Sequence, residues 1–201
     1  MIRSPANSPL TSFHLLASEK ELLMTATAKP EQFRLGFLAT LEIPEQGFVG
    51  GLLITSRHGR PLEFQCTAPV KPNRTQEILY GPSLGPFLLG ELIGKTLIEK
   101  VGVKPHLVLT EQEEVLELRN HIGTPIACVD ALSAPTSDAS AETQQIRLGR
   151  QLIRFHAPHL EEDQQVVIAH AKEIAREADL REPFQRVREA LLETVRSGAL
   201  R

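Results

Sequence analysis

Apolar and polar residues alternate over a long stretch in the first half of the chain. Every second position from Phe33 to Ile43 is apolar, which is the period of a β-strand with one face against a core. Gly50 and Gly51 indicate a bulge or a close approach of another backbone in the next strand. The predicted strands are 33–43, 48–56 and 62–67, joined by turns at 44–47 and 57–60. Three consecutive strands of this kind predict an antiparallel meander.

A helical period replaces the alternation after the third strand. Asn73 with Gln76 has the spacing of an N-cap and its reciprocal partner, so a short helix is predicted from residue 74. A longer amphipathic helix is predicted over 87–101. Gly90 and Gly94 lie one turn apart in it, which lets a neighbouring backbone come close. Three residues separate these glycines inside a helix, whereas a phosphate-binding loop needs four residues and free N–H groups.

The next pattern is strand, helix, strand. Residues 105–109 form an apolar run, Thr110 with Glu113 has the spacing of a capping box, and a second apolar run covers 126–132. Two strands joined through a helix at this spacing predict a parallel βαβ unit.

The last third begins with a stretch of small polar residues and ends in two amphipathic helices. Residues 146–156 are strand-like with a phase change at 149–150, which predicts a bulge. One helix is predicted from about 158 to 178 and another from about 183. The apolar face of the last helix consists of Phe184, Val187, Leu191 and Val195.

These elements define an α+β fold class. An antiparallel three-strand meander and a βαβ unit share one mixed sheet, and a C-terminal pair of amphipathic helices follows. We predict a disordered N-terminus over 1–12, an α+β core over 13–132 and a flexible linker over 133–145. Residues 146–201 are expected to pack on the same core.

Composition narrows the class of protein. The chain has 201 residues, a net charge of −3, eight Phe, one Tyr and no Trp, so a bulk basic or aromatic-rich binding surface is not expected. It has no apolar run of membrane-spanning length and no secretory signal. With two cysteines that form no disulfide framework, a cytoplasmic location is expected, without contact to a membrane.

Basic residues gather near the meander. Lys71, Asn73 and Arg74 lie at a predicted helix start, where free N–H groups and the helix dipole favour an anion. Arg57 and Arg60 are weaker candidates, because the third strand carries the chain away from their turn. We therefore expect any phosphate-containing ligand or nucleic acid at Lys71–Arg74.

Other residues of types that could take part in catalysis or bind a metal have simpler structural explanations. Cys128 is predicted to be buried, and Thr110 and Asp130 end the two parallel strands, where open sheets often bind ligands. His156 and His159 precede three acidic residues, which suit a helix N-terminus better than a metal site. Neither a metal nor a cofactor is expected.

The sequence favours a regulatory or assembly module without catalytic activity. It would act through protein–protein contacts, with a protein partner or a second copy meeting Phe184, Val187, Leu191 and Val195. The alternative is a binder of a phosphorylated ligand or nucleic acid at Lys71–Arg74. A second alternative is a small enzyme that uses Cys128, or Thr110 with Asp130.

Overall fold

The computed structural model describes residues 32–129 and 145–198. The predicted disordered segment 1–12 and nearly all of the predicted linker 133–145 lie outside these ranges. The architecture below is that of the unit formed by residues 33–201.

A mixed seven-stranded sheet organises the unit. The strands are β1 (Arg34–Ile43), β2 (Gly47–Ser56), β3 (Pro61–Cys66), β4 (Leu107–Thr110), β5 (Ile126–Val129), β6 (Gln145–Leu148) and β7 (Gln151–Phe155). Their spatial order is β3-β2-β1-β4-β5-β7-β6. The first three strands form the predicted antiparallel meander, and β1, β4 and β5 run parallel to one another. The predicted α+β class with one mixed sheet is confirmed.

Helices cover both faces of the sheet. The α-helices are α1 (Arg74–Tyr80), α2 (Lys95–Lys100), α3 (Leu160–His170) and α4 (Glu182–Arg196), and a π-helix (Pro86–Gly94) leads directly into α2. Short 3-10 helices lie at Gly81–Ser83, Glu113–Asn120, Ala157–His159 and Ala171–Glu173. Among the described residues, none of these helices combines the length and the apolarity needed to cross a membrane.

The core has two layers, one on each side of the sheet. The alternating residues of β1 pack with α3 and α4 in one layer, as their period predicts. Leu38, from the intervening set, packs with the π-helix and the 3-10 helix of Glu113–Asn120 in the other layer. Since β1 is a central strand, it is buried on both faces over most of its length, and not on one face alone.

The paired glycines of β2 allow both layers to approach the sheet. A Cβ added to Gly50 would lie 2.1 Å from Cγ2 of Ile93 in the π-helix. A Cβ added to Gly51, on the opposite face, would lie 3.0 Å from Leu191 of α4. Side chains of the helices, and not another backbone as predicted from the sequence, therefore approach the two glycines closely, one on each face. Gly90 acts similarly between helices, since its Cβ would lie 3.1 Å from the carbonyl oxygen of Glu114.

Three local predictions are wrong. The connection from β4 to β5 contains a 3-10 helix in place of the predicted helix with a capping box. The hydroxyl of Thr110 accepts from the N–H of Gln112, which precedes this 3-10 helix, and does not cap it. The predicted bulge at 149–150 is the turn of the β6–β7 hairpin, with Gly149 at φ +59°. Helix α3 ends at His170, because the following segment bonds to this hairpin: the N–H of Arg150 donates to the carbonyl of Ala178.

Candidate ligand cavity

A cavity of about 470 Å³ lies between the sheet and the segment that leads into α4. Leu35 and Phe37 of β1 form its sheet side, and Ile174 and Leu180 contribute from the irregular segment opposite. All four side chains are buried and apolar. A volume of this size, with mostly apolar walls, is typical of sites for small organic ligands.

Two arginines border the cavity. Arg57 follows β2, and its Nε donates to Nε2 of His58 at 3.1 Å. Its ion pair with Glu173 is long, with 3.4 Å between NH1 and the carboxylate oxygen. Arg186 comes from α4 and donates through NH1 and NH2 to the carbonyl oxygen of Gly59, at 3.2 and 3.3 Å.

The turn between β2 and β3 holds these arginines in place. Gly59 adopts φ +75°, a backbone region that side chains rarely tolerate, and its N–H donates to the carbonyl of Ser56 at 2.9 Å. Its own carbonyl is thereby free to receive the guanidinium of Arg186. Residues 127 positions apart in the chain therefore meet at one edge of the cavity.

Acidic groups around the cavity lower its net charge. Glu182 pairs with Arg186 at 2.9 Å, and Asp179 accepts from Gln151 and from the N–H of Arg181. Glu173 also accepts from Nδ1 of His170 at 2.8 Å. The hydrogen bond from His170, followed by those from the N–H of Phe33 and from Arg57, lowers the pKa of Glu173. The edge is thus a set of ion pairs whose arginines keep further donor groups.

Two buried polar atoms lack a hydrogen-bond partner in the described part of the chain, and both belong to residues that line this cavity. They are the hydroxyl oxygen of Thr55 and Nε of Arg186. Thr55 is 0% exposed. It lies opposite Leu35 in the β1–β2 register, so its side chain is on the cavity side of the sheet. Buried polar groups in folded proteins nearly always have a hydrogen-bond partner. Two such groups without a partner, both on residues that line one cavity, therefore require an explanation.

The anion site predicted at the start of α1 lies away from the cavity, and its polar side chains already have partners within the protein. Asn73 forms the predicted capping box with Gln76, with both hydrogen bonds at 2.9 Å. Arg74 pairs with Glu77 at 3.0 Å, and Nζ of Lys71 donates to the carbonyl of Glu45 at 3.0 Å.

This anion site lies at the opposite end of β2 from the cavity. Val70 pairs with Phe48 at the start of β2, whereas Arg57 follows the end of that strand. The two basic groups are therefore separated along β2, as the hairpin geometry predicts. Arg60 is exposed on the β2–β3 turn and does not line the cavity. The anion site at Lys71–Arg74 stays a prediction.

The candidate enzyme residues are buried or lie outside the described ranges. Thr110 is 0% exposed, Cys128 is 3% exposed in the second core layer, and Asp130 is not among the described residues. The other cysteine is partly buried, and this burial raises the pKa of the Cys66 thiol. Cys128 lacks the exposure that a reactive cysteine needs, and the raised pKa of Cys66 is opposite to the depressed pKa of a reactive thiol.

The apolar face of α4 belongs to the core. Phe184, Val187 and Leu191 are at most 1% exposed and pack against β1 and β2, and Val195 packs beside them. The sequence left open whether this face is core or interface, and the structure assigns it to the core. It is therefore not a surface on which a partner can dock.

Histidines and acids do not converge in the described ranges. No group of three or more His, Cys, Asp or Glu side chains there has an arrangement that could hold a metal ion. His156 and His159 instead contact the side chain of Asn120, at 3.3 and 3.2 Å.

Sequence reasoning identified one arginine of the cavity and missed the rest. Arg57 stood out because it belongs to a cluster of basic residues. Thr55 and Arg186 carry no local signal, since a threonine in a strand and an arginine in an amphipathic helix are ordinary. Only the packing of α4 on the sheet brings them together.

The comparisons with known proteins give matches of structure alone. No family model matches the sequence, and no curated protein matches it. An endonuclease V of Ciona intestinalis, in complex with a 23mer DNA containing an inosine followed by a ribo-adenosine, is similar at 12% identity and a TM-score of 0.43. The similarity covers 92% of this chain and 99% of that chain. Human endonuclease V is similar at 15% identity and a TM-score of 0.43, over 92% of this chain and 100% of that chain.

A more distant similarity is to an Argonaute of Marinitoga piezophila in complex with a guide RNA. Its identity is 10% and its TM-score 0.30, over 73% of this chain and 27% of that chain. At these identities and scores, the similarities assign neither a substrate nor a catalytic residue to this chain.

The comparisons contradict the interpretation as a non-catalytic module for protein–protein interaction. Four of the similar structures are of endonuclease V, two of them in complex with DNA. The burial of the apolar face of α4 gives an independent physical reason, because that face was the predicted interface.

Proposed function

We propose that this protein binds a phosphate-containing ligand, of about the size of one nucleotide, in the cavity beside Arg57 and Arg186. The observation that carries the proposal is the combination of a cavity of about 470 Å³ with apolar walls and two guanidinium groups at its edge. Guanidinium groups match the geometry of phosphate oxygens and bind them through paired, charge-assisted hydrogen bonds.

The ion pairs at the edge are compatible with ligand binding. The contact of Arg57 with Glu173 is 3.4 Å long and both side chains are partly exposed, so the pair is weak. A phosphate group can therefore compete with Glu173 for Arg57. Arg186 keeps an unpaired Nε beside its bonds to Gly59, which leaves it a donor for the ligand.

The test uses two labelled probes, a mononucleotide and a short single-stranded oligonucleotide, with binding followed by fluorescence anisotropy. The Arg57→Gln/Arg186→Gln variant should weaken binding of the mononucleotide by about 100- to 10,000-fold, because it removes two charged donors and each such hydrogen bond contributes about 1.5–3 kcal/mol. Circular dichroism and urea unfolding check that the variant is folded. The Arg186→Lys variant keeps the charge but removes the Nε donor and the planar group that bonds to Gly59, so we expect an intermediate loss.

The Lys71→Ala/Arg74→Ala variant is the matched control, because it also removes two positive charges, but at the opposite end of β2 from the cavity. It should bind the mononucleotide like the wild-type protein. If this control loses binding and the arginine variant does not, the site is at Lys71–Arg74, as the sequence predicts. If the oligonucleotide alone binds, with a steep dependence on salt, the ligand is a nucleic-acid strand. If neither probe binds the wild-type protein at millimolar concentration, the proposal is wrong.

A further inference from the structure

The two buried atoms without a partner in the described chain belong to residues that line one cavity, and their chemistry limits which groups could pair with them. The hydroxyl of Thr55 can both donate and accept hydrogen bonds, whereas Nε of Arg186 can only donate. A ligand that satisfies both must present an acceptor to Arg186 and a polar group to Thr55, within apolar surroundings.

Thr55 has no evident partner in its own sheet. Its neighbours across the two adjoining strands are Leu35 and Pro61, and neither side chain can form a hydrogen bond. Proline also lacks a backbone N–H. The register of β2 and β3 shifts between Ile54 and Thr55, so the regular pairing ends at this residue. An outside group is therefore the simplest source of a partner.

The walls around Thr55 favour a flat and largely apolar group. Leu35 and Phe37 flank it on β1, and the ring of Phe37 is fixed edge-on against Phe184, with 5.3 Å between the centroids. A sugar or a free phosphate would leave these carbon surfaces without contact. A planar heterocycle, with ring nitrogens and carbonyl oxygens at its edge, provides both the apolar faces and the polar edge.

We infer that Thr55 is a specificity-determining residue, and that the cavity takes a phosphorylated ligand whose buried end is a heterocyclic base. The inference rests on the proposed function, since Arg57 would hold the phosphate at the edge of the cavity. The base would then lie deeper, with its polar edge toward Thr55 and Nε of Arg186.

The test compares Thr55→Val, which keeps the shape and removes the hydroxyl, with Thr55→Ser, which keeps the hydroxyl. The probes are a purine nucleoside 5′-monophosphate and ribose 5-phosphate, measured by calorimetry. We expect Thr55→Val to weaken nucleotide binding about fivefold to tenfold, the effect of one neutral hydrogen bond, and to leave ribose 5-phosphate binding unchanged. Thr55→Ser should bind both probes within about twofold of the wild-type protein.

Thermal unfolding without ligand supplies a second readout. Removing a buried hydroxyl that has no partner should raise the melting temperature of Thr55→Val. A lower melting temperature would mean that the hydroxyl is already satisfied within the protein, and would overturn the inference. Equal weakening of both probes, or no effect on either, would also overturn it while leaving the proposed function intact. If neither probe binds the wild-type protein, the proposed function fails and this inference fails with it.

Discussion

Arg119 forms two ion pairs that differ mainly in burial, and this difference allows a sharp test of the energetics of the fold. Its Nε donates to both carboxylate oxygens of Asp163, at 3.0 and 3.1 Å. Its NH2 donates to Glu162 at 3.1 Å. The Asp163 side chain is 0% exposed and the Glu162 side chain is 70% exposed, whereas Arg119 itself is 6% exposed. Replacing each acid by its amide therefore perturbs the same arginine in two different environments.

The expected costs follow from solvation. The Asp163→Asn substitution removes the buried counter-charge of Arg119 and leaves only the exposed carboxylate of Glu162, which should lower the free energy of unfolding by about 3–5 kcal/mol. The Glu162→Gln substitution breaks a solvent-screened pair and should cost about 0–1 kcal/mol. For a domain with about 5–15 kcal/mol of total stability, the first change removes a large part of it.

The pair should be costly to break but easy to replace. Burial raises the pKa of the Asp163 carboxyl, and the hydrogen bond and charge of Arg119 act against this rise. Since the attraction does not fully offset desolvation, an apolar pair of similar volume should stabilise the fold nearly as well. We expect the Arg119→Met/Asp163→Leu variant to recover most of the stability lost in Asp163→Asn.

Urea unfolding followed by circular dichroism measures these differences from the midpoint, at constant slope. The reasoning would be refuted if Asp163→Asn and Glu162→Gln cost the same, within about 0.5 kcal/mol, because burial would then have no energetic role. A double variant less stable than Asp163→Asn would show that the ion pair itself, and not its unpaired remainder, supplies the stability.

Two further predictions concern packing and pH. The Gly50→Ala substitution should lower the free energy of unfolding, measured in urea, by about 1–3 kcal/mol, because the new Cβ would lie 2.1 Å from Ile93. In the control Gly123→Ala, the new Cβ meets no atom within 4 Å, so the free energy of unfolding should change by less than about 1 kcal/mol. Equal effects of the two substitutions would contradict the close packing at Gly50. The hydrogen bond from the N–H of Val103, with smaller contributions from Gln65 and the N–H of Gly102, lowers the pKa of Glu63. The Glu63 carboxylate therefore stabilises the fold at pH values above the usual Glu pKa. This contribution is lost as the pH falls through the lowered pKa. Glu63→Gln should therefore be less stable than the wild-type protein at pH 7, and the gap between their urea midpoints should narrow as the pH falls below the usual Glu range. A gap independent of pH would contradict this assignment.

Local patterns predicted the elements whose causes are local. The alternation from Phe33 to Ile43 predicted β1, because side chains in a strand point to opposite faces with a period of two. The Asn73–Gln76 spacing predicted the capping box of α1, since both of its hydrogen bonds join residues three positions apart. The mixed sheet followed from the turn lengths and the βαβ spacing.

Only tertiary packing decided where helices end and what their faces contact. The sequence of α4 is equally compatible with a core helix and with an interface helix, and the sheet buries its apolar face. Helix α3 stops at His170, although the residues that follow tolerate a helix, because the next segment bonds to the β6–β7 turn. The wrong prediction of an assembly module came from this ambiguity.

The cavity shows the same division in its chemistry. Arg57 was visible in the sequence as one of several clustered basic residues. Thr55 and Arg186 were not, because each is ordinary in its own strand or helix. The strand determines on which face of the sheet the Thr55 side chain lies. Whether its hydroxyl is buried without a partner depends on the helix packed against that face, which includes Arg186, 131 positions further along the chain. The sequence thus determined the sheet and the cap of α1, whereas the packing of α4 on β1 and β2 decided that this chain has a candidate binding site, and where it lies.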